Sequence, residues 1–187
     1  ALVLLAIFHF LNGDLAASKE CLLESSKIQD KEGLDFENSI TYRNYLLLIL
    51  QWHEAKLNVH INARAFEKIY VVGESHSLSS HKLLIQTSNF NFSCEASLIQ
   101  GCKQWDLGNS NRNRYKIKFE SVIGSLPKKS NVLLAIGEID CRLNYGIIKH
   151  RKKFPHKKKS VLISNTIKNY LGYISKINSD YEHKIII

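Results

Sequence analysis

The sequence predicts an α/β protein: an open parallel three-layer sheet domain over residues 64–187, preceded by an α-helical segment at residues 1–60. Two short runs, Lys68–Val72 and Asn131–Ile136, are rich in apolar and β-branched residues and each ends in glycine, as strands buried on both faces do. The apolar period then becomes helical, at Tyr115, Phe119, Val122, Ile123 and Leu126, and again at Ile163, Ile167, Tyr170, Leu171, Ile174 and Ile177. Strands alternating with helices imply right-handed βαβ crossovers and a parallel sheet covered on both faces. With 44% apolar and 23% charged residues, the composition is that of a folded globular chain, so disorder is not expected.

In chain order, Ala1–Leu11 is almost wholly apolar. It is too short to cross a bilayer, which takes about 20 residues, and it lacks the basic start and small-residue cleavage site of a secretion signal. A buried helix is the expectation. Asn12-Gly13-Asp14 breaks it, and a second helix to Lys27 carries Leu15, Ser18, Leu22 and Ser25 on one face. This helix-turn-helix resembles a tetratricopeptide-type repeat. One such repeat cannot bury its own face, so further repeats are expected before Ala1. Asp30–Glu37 reads as a polar connection. A long helix over Ser39–Leu57 follows, with Tyr42, Tyr45, Leu46, Ile49, Leu50, His53 and Leu57 at helical spacing, and a boundary is expected near Asn58–Ala65.

The last residues, Lys184–Ile187, look like a buried strand flanked on both sides and cut short. The missing methionine at position 1 agrees with a fragment, truncated at its C-terminal end. Cys21, Cys94, Cys102 and Cys141 form no paired motif, so reduced thiols in a cytoplasmic protein are the expectation, with no disulfide, structural metal or cofactor required. Cys94, Cys102 and a histidine could meet around a metal; the alternative is that buried cysteine behaves as a small hydrophobe. The net charge of +9 is concentrated in Lys149–Lys159, read as an exposed connection that attracts anions. It lacks the interleaved aromatics of a nucleic-acid groove.

In an open parallel sheet, ligands bind beyond the C-terminal ends of the strands. Both strand ends carry chemistry: Gly73-Glu74-Ser75-His76-Ser77 after the first, and Gly137-Glu138-Ile139-Asp140-Cys141-Arg142 after the second. Ser75 at a helix start can present its hydroxyl as a nucleophile and its amide to a developing oxyanion; Ser75 or Ser77 can equally cap that helix. Arg142 can hold an anion through its guanidinium fork with Asp140 orienting it, or form an internal pair with Glu138 and Asp140. His76, beside the serine, is read as a supporting residue. Cys141 has no basic partner to activate it. Trp105–Gly108 and Asn109–Arg114 read as a polar, arginine-bearing loop leading into a helix on the same sheet edge as Gly101, either facing substrate or supplying Asn109 or Asn111 as a helix cap.

Strand, Gly-Glu-Ser and a later strand ending in Gly-x-x-Asp resemble the first and third blocks of the SGNH (GDSL-like) hydrolases, over about two-thirds of the chain. The combination with the upstream helical repeat is similar to a subgroup in which tetratricopeptide-type repeats precede such a domain. The resemblance implies a flavodoxin-like fold and a serine ester hydrolase or acyl transferase, acting on an acyl ester, with acylated carbohydrate one option. Ser75 would be the nucleophile and Gly101 the second-block oxyanion glycine. Three departures stand out: Glu74 in place of the family's Asp, Ile139 in place of its third-block Asn, and no late Asp-x-x-His block. A serine needs a base, so the base is expected beyond residue 187 and this chain alone is expected to be inactive. The alternative function is a catalytically silent protein-interaction module that binds a protein partner through its helical segment.

Overall fold

A computed structural model describes residues 1–28, 34–56 and 66–187. The chain divides into two compact units, Ala1–Arg64 and Ala65–Ile187.

The first unit is helical, with α1 (Leu2–Leu11), α2 (Leu15–Ser26) and α3 (Leu34–Lys56). Asp14 caps α2 by accepting from the Ala17 amide at 3.0 Å. Small residues let α1 and α2 approach closely: Ser18 and Ala6 are fully buried, and the Ser18 hydroxyl donates to the Ala6 carbonyl at 2.9 Å. Phe10, Leu22, Leu46, Ile49 and Leu50 fill the interior. Helix α3 begins at Leu34, so the polar connection predicted up to Glu37 is shorter than expected. The predicted boundary at Asn58–Ala65 and the helical position Leu57 lie outside the described residues. No helix among the described residues is long and apolar enough to cross a membrane.

The second unit is mixed α/β. Its strands β1 (Glu67–Gly73), β2 (Leu84–Gln86), β3 (Asn91–Leu98), β4 (Asn131–Ala135) and β5 (Lys184–Ile186) form a sheet of order β2-β3-β1-β4-β5. Strand β1 is parallel to both β3 and β4, with Gly73 opposite Leu98 on one side and Ala135 on the other. The sheet is mostly rather than wholly parallel, because β2 pairs antiparallel with β3 as a hairpin.

Helices do not cover both faces equally, contrary to the three-layer expectation. Val72, Ile99, Leu107, Phe119, Ile123, Val132, Leu134, Tyr170 and Ile174 form one core, which places α4 (Gln104–Gly108), α5 (Arg114–Ser125) and α8 (Lys159–Asn178) against a single face. The chain order explains this. The β3 to β4 and β4 to β5 crossovers advance in the same direction across the sheet, so right-handed connections put both helices on one side. Only the β1 to β3 connection advances the other way, and it holds a 3₁₀ helix, Ser75–Ser80, and the short β2.

Three further expectations change. β5 is an edge strand, hydrogen-bonded only to β4 among the described strands, with Ile186 48% exposed. The buried stripe of α8 is Leu162, Thr166, Tyr170 and Ile174, with Ile167 and Leu171 on the outer side. The basic run is not a loop throughout: after the short α6 (Glu138–Cys141), α7 (Gly146–Lys153) takes its first half and Lys159 opens α8. A row of aromatic rings anchors it, since His150 lies between Trp105 (4.6 Å) and Phe154 (4.7 Å), tilted 41° and 38° to them, and Lys157 lies over the Phe154 ring.

Candidate functional site at the β1/β4 switch point

The chain moves from β1 outward to β3 and then back across β1 to β4. The order of strands therefore reverses between β1 and β4, which is where an open sheet forms its crevice. Gly73 closes β1 against β4: a Cβ there would stand 2.3 Å from the Ala135 carbonyl oxygen. The Glu74 amide then donates to Ala135 at 3.2 Å, and the Glu138 amide donates to Glu74 Oε1 at 3.1 Å. The Ile99 amide ties β3 to Gly73 at 2.7 Å. The loops after all three strands thus leave the same edge of the sheet.

Ser75 is half-buried at the first position of the 3₁₀ helix. Its neighbours Ser77, Ser79 and Ser80 each donate to a carbonyl three residues back, on Glu74, His76 and Ser77. Among the described residues the Ser75 hydroxyl has no such bond, and neither its amide nor that of Gly101 has an acceptor. Ser77, fully buried, is therefore the serine with the structural role. Gly101 follows β3 with φ +72, and its nearest side-chain neighbour is the Tyr115 hydroxyl.

Glu74 is 1% exposed. Burial raises its carboxyl above the usual glutamate value, and the nearby Glu138 adds to this. Its Oε2 has no hydrogen-bond partner among the described residues. His76 is exposed, and its ring lies with the Glu74 and Glu138 carboxylates in a group whose donor atoms are all within 4.8 Å of one another.

Asp140 does not orient Arg142. It is 2% exposed and accepts from the Gln104 and Trp105 amides at 2.7 and 3.2 Å. Helix α4, whose own cap position Lys103 supplies no side-chain acceptor, receives its cap from the other loop. Burial raises the Asp140 carboxyl, and the two amides oppose that shift. Arg142 instead forks onto Glu138, with Nε at 2.9 Å from both oxygens and Nη2 at 2.6 Å; that hydrogen bond holds the Glu138 carboxyl below its usual value. Of the expected Glu138–Asp140–Arg142 cluster, the Glu138–Arg142 pair forms and Asp140 stands apart.

No protein-family model, curated protein or solved structure matches this chain. The site is therefore read from its own groups.

Cys94 and Cys102 are buried and free, and desolvation pushes the Cys102 thiol up to about 12. They act as small hydrophobes, and the described metal-capable group contains neither. The Asn109 or Asn111 cap is corrected to Asn113, whose Oδ1 accepts from Tyr115 and Lys116. Glu138 entered the sequence reading only as a salt-bridge partner. The signal was the Gly-Glu pair repeated at both strand ends. Trp105 and Asn109, from the segment expected to face substrate, line a cleft of about 750 Å³ whose other wall, His150, Lys157, Asn165 and Asn169, was not foreseen, because the cleft joins α4, α7 and α8 across more than 60 residues of chain.

Proposed function

We propose that the second unit is an SGNH-type serine ester hydrolase or acyl transferase with Ser75 as its nucleophile. One observation carries the reading: of the serines in the 3₁₀ helix, Ser75 alone has a hydroxyl without a backbone acceptor among the described residues, and it stands at the switch point. The Ser75 oxygen attacks the acyl carbonyl, and the alcohol leaves with a proton. Water or a second alcohol then releases the acyl group. The uncommitted amides of Ser75 and Gly101 leave the same sheet edge and supply oxyanion donors. The cleft lined by Trp105 and three asparagine side chains carries groups that suit a carbohydrate, and Ser75 is not among its lining residues. In the full-length protein, Ser75→Ala is expected to abolish turnover of short activated acyl esters with an unchanged circular dichroism spectrum. Equal turnover by wild type and variant refutes the serine mechanism.

Leu4, Leu5 and Phe8 favour the second reading, a protein-interaction module. They form one exposed apolar face of α1, at 58%, 44% and 61% exposure, and such a face suits a protein partner. A well-folded full-length protein inactive on varied esters decides for this reading.

A further inference from the structure

We propose that Glu74, His76 and Glu138 form a binding site for a zinc-class divalent cation in the β1/β4 crevice. The donors come from two different strand ends, and their atoms already lie within 4.8 Å of one another. Glu74 is the fixed donor: it is 1% exposed, its Oε1 is held by the Glu138 amide at 3.1 Å, and its Oε2 has no partner among the described residues. A buried carboxylate oxygen without a hydrogen bond is costly, and a bound cation satisfies it. His76 and Glu138 lie on the exposed side and can close by side-chain rotation alone.

One imidazole and two carboxylates select a borderline ion such as zinc over magnesium or calcium, which prefer all-oxygen sets. Three protein donors leave a coordination position open, as in catalytic rather than structural zinc sites. The competitor is Arg142, which forks onto Glu138. Both members of that pair are about half-exposed, at 47% and 46%, so the pair is weak and yields to a divalent ion. Arg142 thereby sets the affinity.

The test is calorimetric titration of the purified chain with zinc chloride in a non-chelating buffer, with magnesium chloride as the control. We expect one zinc per chain and no magnesium binding. Arg142→Gln is expected to tighten zinc binding about tenfold, because it removes the competitor. Glu74→Gln is expected to weaken it at least tenfold. Because Glu74 is buried, His76→Ala at an exposed position provides a second arm with the same expected loss and no folding risk. Zinc binding unchanged in His76→Ala, or no zinc binding by a folded Arg142→Gln chain, overturns the proposal. Ser75→Ala should keep wild-type zinc affinity, so the outcome is independent of the serine mechanism.

Discussion

The loops after β1 and β4 start with the same dipeptide, Gly-Glu, on neighbouring parallel strands, yet their polar groups have opposite fates. Glu74 is buried and its carboxyl is raised; Glu138 is half-exposed and its carboxyl is lowered by Arg142. After β4 the polar side chains serve structure: Asp140 caps α4 and Arg142 holds Glu138. After β1 the Ser75 hydroxyl and Glu74 Oε2 have no partner among the described residues. Residue type at a strand end therefore does not reveal which loop is chemically available. What decides is whether a neighbouring element needs the polar group, and α4 needs Asp140.

The largest expected effect tests the joint that holds the two loops together. Gly73→Ala puts a Cβ against the Ala135 carbonyl, and since that contact is backbone, relief requires the strands to part. A loss of about 3 kcal/mol is expected from urea denaturation; a loss under about 1 kcal/mol would mean the β1/β4 contact is slack.

The contrast between the loops is sharpened by removing one polar group from each. Asp140→Ala leaves two α4 amides without their acceptor and should cost about 2 kcal/mol, whereas Asp140→Asn, which keeps one acceptor oxygen, should cost less. Ser75→Ala removes a hydroxyl with no partner and should stay within about 0.5 kcal/mol of wild type. Similar losses at the two sites would erase the distinction between a structural and an available loop.

The smallest effect sets the acid baseline against which the loops are compared. Lys68 hydrogen-bonds Glu95 across β1 and β3 at 2.8 Å and lowers its carboxyl. The stabilisation is present above the unfolded glutamate pKa of about 4.3 and disappears as pH falls through the lower folded value. Solvent reaches the pair, so less than about 1 kcal/mol is expected. Denaturation of wild type and Glu95→Gln should differ slightly at neutral pH and converge in strong acid; a difference that grows on acidification contradicts the assignment.

The apolar runs at Val71-Val72 and Val132–Ile136 were legible as strands because every side chain in them is apolar. Strand β3 was harder: in Asn91–Leu98 the apolar Phe92, Cys94, Ala96 and Leu98 alternate with polar residues, a weak signal when two of the four are small. β2 is three residues long and has no period to read. The basic run was misread because charge hid Ile147 and His150, whose packing makes α7 a helix.

The sequence by itself determined the elements that depend on local pattern: the α1/α2 turn at Asn12-Gly13-Asp14, the two glycine-ended strands, and the placing of polar motifs directly after them. The tertiary structure alone decided which face the helices cover, since that depends on the order in which strands are added. It also decided that Asp140 belongs to α4, 36 residues away in sequence, and that Glu74, His76 and Glu138 converge. Such contacts join residues through the sheet rather than along the chain, and no local periodicity encodes them.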